Sequence, residues 1–132
     1  MIERLTYEDI IDIHDTALEL YNGLPGMNEP GLIAFVAEKP FQGFGDKEYY
    51  PGFFLKAAVY MEAFATHQLF CDGNKRTGYL SAKIFLEING YHLQVTDDDL
   101  YETTIAVATK KIGLHQLADW LKRHSVKEPL SY

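Results

Sequence analysis

The sequence predicts an all-α fold in which residues 1–132 form one compact domain of about six helices. Apolar residues recur at helical spacing through most of the chain, and residues typical of helix starts and ends stand between those segments. A length of 132 residues suits one ordinary domain, and 47% hydrophobic content with nine Tyr and eight Phe is enough for one packed core. The sequence contains no internal repeat and no linker that would divide it.

The first two predicted helices flank a turn rich in Gly, Pro and Asn. A Thr-x-x-Asp start at Thr6 and Asp9 opens a helix over residues 7–21, with the apolar stripe Ile10, Ile13, Ala17, Leu18, Leu20 and Tyr21. The turn "NGLPGMNEPG" follows, and residues 32–38 then form a short helix that Pro40 stops. The segment "PFQGFGDKEYYP" has no helical period, so we expect a loop or a small hairpin.

The longest apolar stretch follows Pro51 and predicts the central helix of the fold. From Phe53 to Ala65 nearly every position is apolar, which in a helix means burial on almost all sides. A fourth helix begins near Asn74, within the sequence "CDGNKRT", and ends at Asn89-Gly90, residues typical of a helix C-cap. The next segment, "YHLQV", alternates apolar and polar residues and favours an extended conformation.

Two further helices complete the predicted fold. Thr96 as N-cap, acids in the first turn and Lys110-Lys111 in the last turn indicate a fifth helix that Gly113 ends. The sixth helix, "LHQLADWLKRH", is expected to bury its apolar residues, Leu114, Leu117, Trp120 and Leu121.

The charge and composition argue against several classes of protein. A net charge of −7 with only three Arg argues against direct nucleic-acid binding. No stretch approaches the roughly 20 consecutive apolar residues of a membrane span. The single cysteine, Cys71, excludes an intramolecular disulfide, and the N-terminus lacks a basic start followed by an apolar run. We therefore expect a cytoplasmic protein without membrane insertion.

The segment "ATHQLFCDGNKRT", residues 65–77 and hereafter the motif segment, contains most of the chemically suggestive side chains. The free N–H groups and the dipole of a helix that begins near Asn74 attract phosphate, and Gly73 lets a ligand oxygen approach the backbone. The Asn74 amide can donate to a phosphate oxygen, and Lys75 and Arg76 add positive charge. Asp72 can share a Mg²⁺ ion with such phosphates. These residues predict a Mg-nucleotide site.

The motif segment and its surroundings resemble the death-on-curing branch of the Fic/Doc family. The family pattern reads H-x-F-x-[D/E]-[G/A]-N-x-R, and this chain has "FCDGNKR" followed by an apolar helix ending "FLEINGY". The likeness runs from Gly31 to Tyr91. The Lys after the Asn, and Tyr79 where Fic proteins usually carry a second Arg, favour the death-on-curing branch over the Fic branch.

The resemblance implies an activity, cofactors and partners. The family has an all-α fold and uses Mg²⁺ and ATP to modify a hydroxyl of a target protein, such as a translation factor. The transferred group is phosphate in the death-on-curing branch and AMP in the Fic branch. Members of the death-on-curing branch are commonly toxins held in check by a small antitoxin protein, so the resemblance implies a toxin–antitoxin pair.

The head of the motif departs from the family pattern. Counting two residues back from Phe70 reaches Gln68 instead of the family's general-base histidine, and an amide cannot take a proton at neutral pH. If the chain keeps the family spacing, Gln68 points into the site and His67, about 100° round a continuing helix, points elsewhere. If the turn holds one extra residue, His67 swings back into the site. The matching residues on both sides favour the first arrangement.

Carried over residue by residue, the pattern makes Phe70 the buried aromatic and Asp72 the metal-binding acid. The resemblance also makes Gly73 and Asn74 the anion-holding turn and Arg76 the phosphate-binding arginine. The catalytic candidates are His67, Gln68, Asp72, Lys75 and Arg76. The nucleotide-binding candidates are Gly73, Asn74, Lys75, Arg76 and Thr77.

Plain structural interpretations compete with these assignments. The sequence "DGNKRT" is also compatible with a polar turn that has Asp72 as N-cap, and His67 with a helix-end histidine bonded to a backbone carbonyl. Packing is favoured over nucleophilic chemistry for Cys71, because the adjacent Asp72 opposes thiol ionisation. A hairpin over Phe41 to Glu48 would in the family position a target peptide by strand addition. The other histidines are expected at the surface or at helix ends, namely His14, His92, His115 and His124.

Three hypotheses follow from the sequence. The first is a transferase that moves phosphate, or with less support AMP, from Mg-ATP to a protein hydroxyl. The second is a catalytically impaired Fic/Doc-like protein that acts by binding a nucleotide or a partner. The third is a helical interaction module without a ligand.

Overall fold

The computed structural model describes residues 2–128 and confirms the all-α class. Within that range the chain forms six helices, α1 Tyr7–Tyr21, α2 Pro30–Glu38, α3 Phe53–Thr66, α4 Asn74–Ile88, α5 Asp97–Ala108 and α6 Leu114–Arg123. A 3₁₀ turn covers Lys39–Phe41. Two small antiparallel sheets complete this range: a hairpin pairs β1 Gly43–Phe44 with β2 Lys47–Glu48, and a second sheet pairs β3 Tyr91–Leu93 with β4 Ser125–Lys127. None of the helices in residues 2–128 is long and apolar enough to cross a membrane.

Local sequence signals set the starts of α1 and α5 as predicted, whereas α2 begins at Pro30, two residues before its predicted start. The Thr6 hydroxyl accepts the Asp9 N–H at 3.1 Å, and the Asp9 carboxylate accepts the Thr6 N–H at 2.8 Å. This reciprocal capping box fixes the first turn of α1. At the start of α5, the Thr96 hydroxyl accepts the Asp99 N–H at 3.1 Å. The other end of α1 is closed by Asn22, which adopts the left-handed conformation with φ 53°.

Helix α3 is the centre of the fold, as its apolar sequence predicts. It packs mainly against α4 and α6, with α5 beside them, and Tyr60, Met61 and Phe64 are fully buried. Gly78 of α4 allows α3 and α4 to approach each other closely. A Cβ atom at Gly78 would lie 3.0 Å from the Met61 carbonyl oxygen and 3.2 Å from the Phe64 Cβ. The α3–α4 pair therefore forms a rigid base for the segment that joins them.

The hairpin β1–β2 confirms the predicted small hairpin and is tethered to α3 by a buried lysine. The Lys56 side chain is 0% exposed, and its ammonium donates to the Glu48 carboxylate at 2.8 Å and to the Tyr50 carbonyl. The ammonium also lies 5.5 Å from the centre of the Phe41 ring. An ion pair thus holds the hairpin against the start of the central helix.

The C-terminal half differs from the sequence prediction in three respects. Helix α5 ends at Ala108, so Lys110-Lys111 lie beyond it, and Lys110 takes a left-handed φ of 61°. Leu114 and Trp120 are only half-buried, although Leu117 and Leu121 of the same helix are buried as expected. Strand β4 was not predicted, because its pairing with β3 joins segments far apart in sequence.

Candidate functional site

The motif segment crosses from α3 to α4 and is hydrogen-bonded to the loop between α1 and α2. Helix α3 ends at Thr66, and Phe70 then forms an antiparallel bridge with Met27 of that loop. The Cys71 N–H donates to the Gly26 carbonyl at 3.0 Å. The α1–α2 loop is therefore a fixed wall beside the motif segment.

A polar cavity of about 160 Å³, hereafter the motif pocket, opens where the motif segment meets α4. Its lining comes from the motif segment and from one residue of α5. The lining residues are Gln68, Cys71, Asp72, Gly73, Asn74, Lys75, Arg76 and Tyr101. All the candidate site residues except His67 and Thr77 thus meet in one place.

The backbone conformation after α3 separates His67 from Gln68. His67 is extended, with φ −131° and ψ 145°, so its side chain and the next one point to opposite sides. The Nδ1 atom of His67 lies 3.2 Å from the Ala63 carbonyl oxygen, and the ring borders two surface grooves outside the motif pocket. Gln68 faces the pocket, where its side-chain oxygen, Oε1, accepts a hydrogen bond from the Asn74 side-chain amide at 3.0 Å. The separation comes from an extended segment and not from a continuing helix.

Helix α4 begins at the motif pocket with a glycine. Gly73 is its N-cap with a left-handed φ of 78°, and a Cβ atom there would lie 3.6 Å from the His14 ring. Within residues 2–128 no side chain caps this helix, so the N–H groups of its first turn remain suited to an anion. The Thr77 side chain is buried, and its hydroxyl donates to the Gly73 carbonyl at 2.8 Å. Thr77 therefore stabilises the first turn without reaching the pocket.

The Asp72 carboxylate is hydrogen-bonded to the loop that follows α1. It accepts the Leu24 N–H at 3.0 Å and the Gly73 N–H at 2.8 Å. These two backbone hydrogen bonds hold the pKa of the Asp72 carboxyl below its usual range, and the nearby Arg76 charge contributes to this shift. Asp72 stays ionised at neutral pH. It does not cap α4, since Gly73 occupies the N-cap position.

The Asn74 side chain serves the loop itself. It is 7% exposed, and its oxygen accepts the Phe70 N–H at 2.9 Å. Its amide donates to the Phe70 carbonyl at 2.9 Å and to Gln68. The amide that the sequence assigns to a phosphate oxygen is thus already bonded within the motif segment. In this arrangement Asn74 shapes the pocket and orients Gln68.

The Arg76 guanidinium is held by aromatic rings. Its central carbon lies 3.7 Å from the centre of the Tyr21 ring and 5.8 Å from that of the Tyr101 ring. Its Nε atom is buried and has no hydrogen-bond partner among residues 2–128. Lys75 lines the same pocket, so two cations border it in an acidic protein. The pocket is therefore suited to an anion.

His14 is buried against the motif segment. The expectation that it lies at the surface or at a helix end is therefore wrong. The His14 side chain is 2% exposed and stacks on the Phe70 ring at 3.6 Å with an 8° interplanar angle. Its Nε2–H donates to the Asp72 carbonyl at 2.8 Å. The signal in the sequence is its spacing, because His14 lies four residues after Ile10 and three before Ala17 on the buried stripe of α1. No local pattern indicated Tyr21 or Tyr101 as site residues.

A single carboxylate serves the pocket as a candidate metal ligand. Among residues 2–128 there is no cluster of three or more His, Cys, Asp or Glu side chains that would hold a metal ion alone. Mg²⁺ commonly takes one or two protein carboxylates and completes its coordination with substrate phosphates and water. The ionised Asp72 beside an anion pocket fits such a shared site.

Comparisons with known proteins show which sequences this chain is similar to. A model of the Fic/DOC family matches residues 4–86. The chain is 35% identical over 123 residues to a protein kinase Doc of Escherichia phage P1, an alignment that covers 92% of this chain and 95% of that protein. It is 31% identical over 120 residues to a toxin Doc of Mycolicibacterium smegmatis, covering 89% of this chain and 90% of that protein.

Proposed function

This chain belongs to the Fic/Doc family, on its Doc branch, and from that premise we propose that it transfers the terminal phosphate of Mg-ATP to a hydroxyl of a target protein. The convergence of Asp72, Lys75 and Arg76 on one pocket at the uncapped start of α4 carries the proposal. The phage P1 relative is named a protein kinase, which favours phosphate over AMP as the transferred group. The other relative is named a toxin, so a toxin function with a small antitoxin partner is part of the proposal.

Each part of the pocket has a task in phosphate binding. The guanidinium of Arg76 offers a planar fork to two phosphate oxygens, and the buried Nε atom without a protein partner supports this role. The Lys75 ammonium adds a point charge. Gly73 leaves room for the phosphate to approach the first N–H groups of α4, where the helix dipole favours negative charge.

The Asp72 carboxylate would hold Mg²⁺. It stays ionised because two backbone N–H groups lower its pKa, and a carboxylate retains further lone pairs for a metal ion. When bound, Mg²⁺ supplies charge neutralisation to the phosphates of the nucleotide. The chain's own contribution is to hold this carboxylate in one orientation through the Leu24 and Gly73 N–H groups.

Because position 68 holds a glutamine instead of a basic side chain, we expect a low rate of phosphate transfer. A positioned general base typically contributes about 10²- to 10⁴-fold, and the Gln68 amide cannot take the proton of the accepting hydroxyl. Phosphoryl transfer depends mainly on positioning and charge neutralisation, so slow transfer is expected to remain. Gln68 retains an NH₂ group that can orient a phosphate or the accepting hydroxyl, because its carbonyl oxygen is the atom bonded to Asn74.

The hairpin β1–β2 is the proposed site for the target peptide. Each of its strands has two residues, and Phe44 is 81% exposed. An extended peptide can add to such an edge through backbone hydrogen bonds. The Lys56–Glu48 ion pair would keep that edge at a fixed position on α3.

A second candidate function is nucleotide binding without transfer, and the Gln68–Asn74 hydrogen bond favours it. The position of the family's base is occupied by the Gln68 side chain, a neutral amide whose oxygen already accepts a hydrogen bond from Asn74. Such a protein would retain the phosphate contacts of Arg76 and would act through its bound state or through a partner.

Calorimetry with Mg-ATP and a transfer assay with ATP labelled on the γ-phosphate in cell lysate distinguish these functions. We expect binding with slow transfer of label to protein. Binding without transfer would favour the second candidate, and the absence of both would leave a helical module without this ligand. ATP labelled on the α-phosphate identifies AMP transfer by the same readout.

Two variants test the position of the base. We expect Gln68→His to raise the transfer rate about 10²- to 10⁴-fold, because it would place an imidazole in the pocket. His67→Ala is the matched control and should leave the rate unchanged, since His67 faces away from the pocket. A loss of transfer in His67→Ala, with no gain in Gln68→His, would contradict this assignment.

A further inference from the structure

Arg76 is a partly buried cation without a carboxylate partner in the described part of the chain. The ion pairs there join Arg4 to Glu38 and Lys56 to Glu48, and two histidines lie near acids. A long side chain that ends in an unpaired charge loses rotamer freedom when it is ordered, and it needs some other contact to offset that loss. The unpartnered, buried Nε atom shows that hydrogen bonds from residues 2–128 do not supply this contact.

The contact is the Tyr21 ring, which lies 3.7 Å from the central guanidinium carbon of Arg76. Such stacking uses the face of the guanidinium and leaves its N–H groups, which point outward in the plane, free for an anion. A carboxylate partner would instead occupy those same N–H groups. The Tyr101 ring stands farther away, at 5.8 Å, on a different helix.

Tyr21 is 44% exposed, and it lies at the end of α1 beside Tyr79. It is the last residue of α1, directly before the left-handed Asn22 that closes the helix. Beside it lies Tyr79 of α4, which is 3% exposed. Burial raises the pKa of the Tyr79 phenol, and the adjacent Tyr21 contributes to this shift. Helix α1 thus presents the ring of its final residue to the start of α4.

We propose that Tyr21 is the positioning residue of the motif pocket, fixing the plane of the Arg76 guanidinium so that its hydrogen-bonding edge faces the anion. The importance of this role for nucleotide binding rests on the proposed function, whereas the stacking contact itself does not. The role requires an aromatic ring and not the tyrosine hydroxyl. Phenylalanine should therefore replace Tyr21, and leucine should not.

The stacking contact can be measured without any ligand. The chain has three Arg, so an NMR spectrum of the arginine Nε–H groups has three signals, and Arg76→Lys identifies the one from Arg76. We expect the tyrosine ring current to shift this signal upfield. Tyr21→Leu should abolish the shift, Tyr21→Phe should keep it, and Tyr101→Leu should change it less because that ring is farther away. An unchanged signal in Tyr21→Leu would overturn the stacking contact.

The effect on anion binding is measured by calorimetry with inorganic triphosphate and with Mg-ATP. Tyr21→Leu should weaken both about 3- to 30-fold, and Tyr21→Phe should bind within about twofold of the original chain. Tyr49→Leu is the matched control for loss of an exposed tyrosine outside the pocket, since Tyr49 is 55% exposed and Tyr21 is 44% exposed, and it should leave the affinity unchanged. In an Arg76→Lys background, Tyr21→Leu should have no further effect, because the planar group that it orients is gone.

The outcomes separate the inference from the proposed function. Triphosphate binding that Tyr21→Leu weakens, without transfer of label from ATP, would support the positioning role and contradict the transferase. Equal triphosphate affinity in Tyr21→Leu and the original chain would overturn the positioning role even if transfer occurs. Failure of the original chain to bind either anion would overturn both.

Discussion

Lys56 is a buried cation and Arg76 a partly buried one, but the groups that contact their charged ends differ. The Lys56 ammonium is fully buried and is neutralised by the Glu48 carboxylate at 2.8 Å. The Arg76 guanidinium lies over the Tyr21 ring with the Tyr101 ring farther away, and its Nε atom has no hydrogen-bond partner in the region the structure describes. A cation whose donors are satisfied by the protein has a structural role, whereas one whose donors are left free is suited to a ligand.

The largest expected effect concerns Arg76, the cation without a carboxylate partner within residues 2–128. Arg76→Ala should weaken Mg-ATP binding about 10²- to 10⁴-fold, because two charge-assisted hydrogen bonds contribute roughly 1.5–3 kcal/mol each. The free energy of unfolding should change by less than about 1 kcal/mol, since Arg76 has no ion pair within residues 2–128. Calorimetry and urea denaturation measure the two quantities.

Arg76→Lys is the matched control, since it keeps the charge and removes the planar fork. It should recover part of the lost affinity, because a lysine can contact phosphate only as a point charge. Strong destabilisation by Arg76→Ala with unchanged Mg-ATP affinity would remove the contrast between the two cations.

Lys56, the cation paired with Glu48, should affect stability strongly and Mg-ATP binding little. Lys56→Ala should lower the free energy of unfolding by about 3 kcal/mol, through a cavity and the loss of hydrogen bonds to Glu48 and the Tyr50 carbonyl. Mg-ATP affinity should stay within about twofold. Lys56 is ten residues, roughly 15 Å along α3, from the end of the helix that leads to the pocket.

Lys56→Met separates the two sources of this loss. It fills most of the volume but removes the charge, so it should recover about half of the stability, as followed by urea denaturation. A large loss of Mg-ATP affinity in either Lys56 variant would show that the hairpin end and the pocket are coupled, and would contradict their separate roles.

The smallest expected effect concerns the Asp72 carboxylate, whose pKa the Arg76 charge helps to lower. The pKa of Asp72 is lowered in the folded state, so this carboxylate contributes stability above its unfolded pKa of about 3.9 and loses it as the pH falls through the lower folded value. Asp72→Asn should therefore be less stable than the original chain at pH 7, and the difference should shrink below about pH 4. Urea denaturation at several pH values, without nucleotide or Mg²⁺, measures it. A difference that does not depend on pH would contradict a role for the charge.

Several features of the site followed from the sequence because they depend on neighbouring residues. The glycine at the turn, the two cations after it and the acid before it lie within five residues, and the structure brings them to one pocket. Two nucleotide-binding candidates met a different outcome, because their side chains satisfy the local backbone. Thr77 bonds to the Gly73 carbonyl, and Asn74 bonds to Phe70. Sequence spacing indicates which residues are close but not which hydrogen bonds they prefer.

The sequence by itself determined the all-α class, the helix starts and the composition of the motif segment, because caps and apolar stripes act over a few residues. Only the tertiary structure decided which of two adjacent side chains faces the pocket, since that depends on α3 ending at Thr66 and on the extended backbone of His67. It also decided that Tyr21, 55 positions before Arg76 in the chain, stacks on the guanidinium. Contacts of this kind arise from the packing of α1 against α4, which no local pattern encodes.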